Sequence, residues 1–287
     1  MSSPKVCLTG ANGFIGRALA ARLVRSGCDV LALSSKERDI TRPFTVQGDF
    51  DHLIHLAAYN ITHVGPADRE MYRQVNVEGT RHVLAAVKAK RFIFLSTARV
   101  YKNEGRVLTE DSPIMPQGDY AASKWEAEGI CQEQFKGAGL TIIRSANVVG
   151  EGQAPKAVIP VFFEQAYRHA PLRIAGSVRT WLQLLYVEDL VDLFEALVRR
   201  DGFSGVLNAA PQEKITLGVL AADIVRLTGC SSVIEGADQQ DAPFAQVSSD
   251  KAGSMLGWQA KTSVAEILQR YNSYYRTTHG KEELRKD

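Results

Sequence analysis

Apolar positions along the chain recur with two different periods, and the switching between them sets the fold class. Lys5–Leu8 is a short apolar run of strand type, Phe14–Arg25 places Ile15, Leu19, Leu23 and Val24 on one helical face, and Val30–Leu33 is strand-like again. That order predicts a βαβ unit. Further apolar runs at Leu53–Leu56, Phe92–Leu95 and Leu140–Ile143 are separated by helix-length segments at Met71–Lys90 and Tyr120–Lys136. Buried strands alternating with helices predict an α/β fold, a doubly wound parallel sheet with helices on both faces.

After Gly150 the pattern loses regularity, with Pro155, Pro160, Pro171 and Pro211 interrupting it. Helical stretches are predicted at Val158–Arg168, Val187–Arg199, Leu217–Leu227 and Val264–Tyr275. We expect a nucleotide-binding domain over 1–150, to which 181–200 returns, and a smaller substrate-binding lobe over most of 151–287. Ligands of doubly wound sheets bind outside the carboxyl ends of the strands, so such a lobe closes over that edge. The tail Lys281–Asp287 is a charge run and reads as a solvated, frayed terminus.

Composition narrows the function classes. The 287 residues are 45% hydrophobic and 23% charged, ordinary for a globular chain, and 34 Lys and Arg stand against 32 Asp and Glu. A net charge of +2 offers no field for nucleic acid or an anionic membrane. Cys7, Cys28, Cys131 and Cys230 lie far apart and form no metal-ligand or disulfide spacing, so no metal is expected and a reducing cytoplasm fits best. Neither a secretion signal nor an apolar stretch of the ~18–20 residues that span a bilayer is visible.

Directly after the first strand comes Thr9-Gly10-Ala11-Asn12-Gly13-Phe14-Ile15-Gly16. Gly10 permits the tight turn, Gly13 lets a pyrophosphate approach the backbone and Gly16 allows close packing, with the helix N-terminus facing phosphate. Strand, glycine loop and helix in this order point to a Rossmann dinucleotide site. An NAD site usually carries Asp or Glu at the end of the second strand, ~20 residues on. Here Ser34 and Ser35 are followed by Lys36 and Arg38, whose hydroxyls and cations suit a 2′-phosphate. NADP(H) is therefore favoured, with NAD(H) the alternative.

Tyr120 and Lys124 lie four residues apart at the start of a predicted helix, which stacks them on one face. A tyrosine titrates near 10, so acid–base work at neutral pH needs positive charge beside the phenolate. Lys124 supplies one such charge. Upstream, Phe92–Leu95 ends in Ser96-Thr97, which places hydroxyls at the carboxyl end of a strand.

Taken together, these segments resemble the extended short-chain dehydrogenase/reductases, the superfamily of nucleotide-sugar epimerases, dehydratases and 4-ketoreductases. The likeness runs through His55-Leu56-Ala57-Ala58, Asn76-Val77-Glu78-Gly79-Thr80, Ser96-Thr97-Ala98-Arg99-Val100-Tyr101, and Arg144-Ser145-Ala146-Asn147-Val148-Val149-Gly150. It continues through Tyr186-Val187-Glu188-Asp189-Leu190 to Leu256-Gly257-Trp258. The resemblance implies Tyr120 as general acid/base, Lys124 as its partner and a ligand of the nicotinamide ribose, and Thr97 as the hydroxyl that polarises the reacting oxygen. It implies Leu56, Ala57 and Ala58 beneath the dinucleotide, Asp39-Ile40 at the adenine, Asn76 near the active site and Asn147 at the cofactor–substrate boundary. A homodimer through Met71–Lys90 and Tyr120–Lys136 is implied as well.

Departures from the family pattern narrow the activity. Dehydratases carry an Asp-Glu pair after the active-site Thr, whereas this chain has Ala98-Arg99. An Arg that binds the substrate pyrophosphate in many members lies seven residues before the Asp matching Asp189; the nearest candidate here, Arg179, lies ten before it. The short segment before Leu53 is similar to the 4-ketoreductase branch. The expected activity is reduction of C4 of a nucleotide-linked 4-keto-sugar. The alternatives are a 4-epimerase that retains NAD, a reductase of a non-sugar carbonyl, and a catalytically silent NADP(H)-binding sensor.

Overall fold

A computed structural model describes residues 3–60, 66–135, 139–200, 202–239 and 245–283. β1 (Lys5–Thr9) leads through the glycine turn into α1 (Phe14–Arg25) and back to β2 (Asp29–Leu33). β3 (Asp49–His55) follows, then α2 (Pro66–Met71), a π-helical turn (Tyr72–Glu78) and α3 (Gly79–Ala86). After β4 (Lys88–Thr97), a single 3-10 turn (Ala98–Val100) and a long loop lead to α4 (Gly118–Gln134) and β5 (Leu140–Ser145). The second half comprises β6 (Asn147–Val149), α5 (Val158–Tyr167), β7 (Leu172–Ser177), β8 (Trp181–Leu182), β9 (Leu184–Tyr186) and α6 (Val187–Arg199). It ends with β10 (Gly205–Ala209), β11 (Ile215–Thr216), α7 (Leu217–Thr228), β12 (Ile234–Ala237), α8 (Asp250–Leu256) and α9 (Val264–Glu283).

The main sheet has the order β10-β5-β4-β3-β1-β2, and every pairing in it is parallel. This is the expected doubly wound α/β architecture. Its register aligns Thr9 with Leu33 and His55, Thr97 with Ser145, and Ser145 with Ala209. The carboxyl ends of the strands therefore share one edge, and the turns that leave it sit side by side.

Apolar faces on both sides hold the sheet. Leu19 and Leu23 of α1 pack with Leu190, Leu193, Phe194 and Leu197 of α6 on one side, while Phe92, Phe94, Leu53, Val83 and Ala127 fill the other. A third cluster, with Phe163, Leu172, Leu220, Ile224, Ile267 and Tyr271, is the core of the C-terminal lobe. Each such fully buried side chain contributes ~1.5–3 kcal/mol relative to its exposed state. The chain crosses between lobe and sheet repeatedly: α6 lies against α1, and the sixth strand, β10, comes from 205–209, beyond 181–200.

The helix predicted over Met71–Lys90 is not continuous. Lys88–Lys90 already belong to β4, where the Lys88 and Lys90 ammoniums reach Asp49 (3.0 Å) and Asp51 (2.7 Å) on the neighbouring strand. Their charge suits a strand end in solvent, which is why apolar periodicity misplaces the boundary. The helix predicted over Tyr120–Lys136 spans Gly118–Gln134, with Lys136 outside the described residues. α9 continues through the start of the charged tail to Glu283, and 284–287 lie outside the described residues.

Candidate active site

The glycine turn is shaped for close backbone approach. Gly10 has φ +72°, and a Cβ on it would stand 2.6 Å from the Ala57 amide nitrogen; a Cβ on Gly16 would stand 2.1 Å from the Gly10 carbonyl oxygen. Gly13 caps α1 without a side-chain hydrogen bond, and no acidic residue occupies the first turn. The first-turn N–H groups of Phe14, Ile15 and Gly16 are thus left to an anion. Asn12 holds the loop through its carbonyl, which accepts from Arg17 Nη1 at 2.8 Å. Across the turn, Leu56 and Ala57 are half-buried and Ala58 is exposed, so small side chains leave the strand end open. These features fit the pyrophosphate of a nicotinamide dinucleotide, with Gly10 and Gly13 as the positions that a larger residue would block.

At the end of β2, Ser34 is buried while Ser35, Lys36 and Arg38 are exposed. Sequence reasoning passed over the residue between those cations. The Glu37 Oε2 accepts from the Ser34 N–H at 2.9 Å and from the Ser34 hydroxyl, and the Glu37 N–H returns to the Ser34 carbonyl at 3.1 Å. Only the carboxylate half of a capping box is present, closing a turn and not a helix, and its Ser-x-x-Glu spacing was present in the sequence as a signal. Arg38 turns to the Glu37 carbonyl (2.7 Å). Asp39 accepts from the Thr41 hydroxyl and N–H, which hold its carboxyl below the usual range. Ile40 is buried against Gly79, where a Cβ would come within 2.9 Å of it.

Tyr120 and Lys124 occupy successive turns of α4. Tyr120 is half-buried with its ring 6.0 Å from that of Tyr72, and Lys124 is buried with Nζ 3.9 Å from the centroid of Phe94. Burial pushes the Tyr120 phenol up to about 12, against the pull of Arg99, and pushes the Lys124 ammonium down to about 8, against Cys131 and Glu128. Thr97 ends β4, and its hydroxyl accepts from the Arg99 N–H at 3.3 Å while keeping its own proton to donate. The Arg99 carbonyl in turn accepts from the N–H of Gln117, the residue that caps α4 (3.1 Å). The strand end with Thr97 is thereby tied to the helix start with Tyr120.

Other expected site residues fare differently. Asn76 is buried in the π-helical turn, where Oδ1 accepts from the Tyr59 N–H (2.7 Å) and Nδ2 donates to the Tyr59 carbonyl (3.1 Å) and Ser123 Oγ (2.9 Å). Its amide protons are spent on the protein. Asn147 is exposed at the start of β6. Arg179 is bonded through Nε to Asp238 at 2.5 Å and through Nη2 at 3.2 Å, so its charge is already matched within the lobe. Below the site lies a group that the sequence did not reveal. Glu128, one turn after Lys124, accepts from Ser96 Oγ and from Arg144 Nη2 at 2.7 Å, and both charged side chains are buried. Among the described residues, no cluster of His, Cys, Asp or Glu could hold a metal, and no helix is long and apolar enough to cross a membrane.

Comparison with known proteins gives a consistent kinship. A trifunctional UDP-glucose 4,6-dehydratase/UDP-4-keto-6-deoxy-D-glucose 3,5-epimerase/UDP-4-keto-L-rhamnose-reductase of Arabidopsis thaliana is 27% identical over 94% of this chain, which spans about half (47%) of that protein. A probable dTDP-4,6-dihydroxy-2-methyloxan-3-one 4-ketoreductase of Streptomyces antibioticus is 27% identical, with 77% of this chain and 76% of the relative covered. The structure of UDP-glucuronic acid 4-epimerase from Bacillus cereus, in complex with UDP-glucuronic acid and NAD, matches with a TM-score of 0.84 at 20% identity over 96% of this chain and 100% of that one. At that identity the likeness is one of fold. The family profile matches residues 6–210, from β1 to just past β10. With that match across most of the chain, on a fold and a glycine turn of the same kind, the protein belongs to the NAD dependent epimerase/dehydratase family.

Proposed function

We propose that the protein reduces C4 of a nucleotide-linked 4-keto-sugar, with Tyr120 as the proton donor. The observation that supports this reading is the tie, through Arg99 and Gln117, of the strand end with Thr97 to the start of the helix with Tyr120 and Lys124, with Arg99 in place of the dehydratase carboxylate. A 4-ketoreductase among the relatives supports it. The dinucleotide supplies the hydride. Thr97 donates a hydrogen bond to the ketone oxygen, and Tyr120 transfers its phenolic proton as that oxygen becomes an alcohol. Lys124 and Arg99 stabilise the phenolate left behind, which solvent reprotonates. The buried Lys124 would also hold the nicotinamide ribose.

On the dinucleotide, two features of β2 oppose one another. Lys36 and Arg38 support NADP(H), while the Glu37 carboxylate on Ser34 competes with a 2′-phosphate for the same donors. We read the site as favouring NADP(H) by a narrow margin and accepting NAD(H). The substrate is a small nucleotide-sugar, and Asn147 lines its boundary with the cofactor. A homodimer in the cytoplasm completes the reading. On one face of α4, Ala122, Trp125 and Glu126 are exposed and Gly129 is half-buried, and a Cβ at Gly129 would meet nothing within 4 Å. A glycine in the middle of a helix costs ~0.5–1 kcal/mol relative to Ala, which a closely approaching partner helix would justify. Light scattering at micromolar concentration is expected to give twice the chain mass, and a monomeric mass removes the dimer.

The test of the reaction is Tyr120→Phe assayed with nucleotide-linked 4-keto-sugars. The variant is expected to fold and bind NADPH as the wild type does, yet to turn over ~10²–10⁴-fold more slowly. A wild-type rate overturns the acid/base assignment. Sugar interconversion by the wild type without net NADPH loss replaces the reductase with a 4-epimerase.

A further inference from the structure

Between the glycine turn and the catalytic helix runs a line of hydrogen bonds, buried in all but its last link. Thr9 Oγ1 lies 2.6 Å from His55 Nδ1, and His55 Nε2 lies 3.1 Å from Thr80 Oγ1. The Thr80 hydroxyl donates to the Asn76 carbonyl (2.7 Å), Asn76 Nδ2 donates to Ser123 Oγ (2.9 Å), and Ser123 donates to the Tyr120 carbonyl (2.8 Å). Proton counting fixes its direction. Thr80 has one proton and gives it to Asn76, so it can only accept from the imidazole, and His55 carries its hydrogen on Nε2. Nδ1 is then bare and accepts from Thr9, whose oxygen in turn receives the Ala57 N–H at 3.4 Å.

The charge state agrees with that count. Burial and the nearby Lys124 ammonium push His55 down to about 3, and its ring rests 5.7 Å from Phe94, the ring that Lys124 faces from 3.9 Å. Asn76, inside the line, belongs to the π-helical turn at Tyr72–Glu78, an irregularity often associated with functional sites.

We infer that His55 is a positioning residue, which registers the dinucleotide-binding turn at Thr9–Gly10 against the helix that bears Tyr120 and Lys124. It touches neither substrate nor cofactor and acts through the two threonines. Cofactor affinity therefore depends on Thr80, a residue buried behind Asn76 and remote in sequence from the glycine turn. The inference concerns binding and stands apart from which reaction the enzyme performs.

The test uses Thr80→Val, which keeps the shape and removes the hydroxyl, beside Thr80→Ser, which restores it. Dissociation constants for NADH and NADPH are read from nicotinamide fluorescence on purified full-length protein. Thr80→Val is expected to weaken both about fivefold or more, the scale of one buried partner lost, and Thr80→Ser to return them to within about twofold of wild type. Wild-type affinity in Thr80→Val, or equal impairment in both variants, overturns the inference. Should Thr80→Val not fold, ¹⁵N spectra of His55 in the wild type decide. A neutral ring with hydrogen on Nε2 through about pH 5–9 is expected, and a cationic ring or hydrogen on Nδ1 overturns it.

Discussion

Replacing Glu37 by Ala removes the group that most directly opposes a 2′-phosphate. In the wild type its carboxylate accepts from both the N–H and the hydroxyl of Ser34. A 2′-phosphate that takes those donors displaces it. Each such hydrogen bond is worth about 1 kcal/mol net, and the exposure of Glu37 keeps the pair at the low end, so displacement costs roughly 1–2 kcal/mol. The 2′-hydroxyl of NAD(H) is neutral and can donate to the carboxylate, so it bears no such cost. Since 1.4 kcal/mol is tenfold in affinity, Glu37→Ala should shift the ratio of NADPH to NADH dissociation constants toward NADPH by about 5–30-fold. Fluorescence titration of both reduced dinucleotides at one ionic strength measures the ratio directly. Raising the salt should shrink the shift, because exposed charges are screened within about 10 Å at 0.1 M. A ratio that stays within twofold of wild type, or moves toward NADH, refutes the role given to Glu37.

Three further outcomes test the site. Because burial lowers Lys124 from 10.5 to about 8, the folded chain releases that proton before the unfolded chain does, and stability rises as pH climbs through that window. Below it the ammonium costs the apo fold about 3 kcal/mol, so apo Lys124→Met should resist urea better than wild type at pH 7 and lose that advantage near pH 10; equal midpoints at pH 7 contradict this. Glu128→Gln leaves the buried Arg144 charge unpaired and should cost about 3–5 kcal/mol, lowering the melting temperature by roughly 6–10 °C, and a loss under about 2 °C excludes the pair as a support. Thr97→Ser should keep turnover within about threefold, whereas Thr97→Val should lose ~10²-fold or more, and similar rates in the two would remove the hydroxyl from the chemistry.

Sequence periodicity reached the fold because strands and helices that cover one another must bury stripes of fixed spacing. α1 and α6 fall where the pattern sets them, at Phe14–Arg25 and Val187–Arg199. β10 did not emerge, since five residues carrying Gly205 and the buried Asn208 show neither a sustained apolar run nor alternation. In the site, Tyr120, Lys124 and Thr97 were legible because a helix repeat and a strand end are local facts. Glu37 was legible as well, through the Ser-x-x-Glu spacing, although the cations on either side of it carry the stronger charge signal. The pairing of Thr9 with His55 spans 46 positions and that of Glu128 with Arg144 spans 16. Such contacts are made by strand order, which no local pattern encodes.

The return of the chain to its main sheet after passing through the second lobe bears on how this protein could be divided. All six residues of β5 are buried, and β10 covers its outer edge through Gly205–Ala209. A fragment ending near Gly150 would keep the glycine turn, Thr97, Tyr120 and Lys124, yet expose an apolar strand with unsatisfied backbone groups along one side. It would also strip α6 from α1. Open strands of that kind recruit other chains, so such a fragment is an aggregation hazard rather than a minimal enzyme. The second half thus supplies the sixth strand of the sheet and the helix that covers α1, so a cut at Gly150 divides one sheet and not two domains.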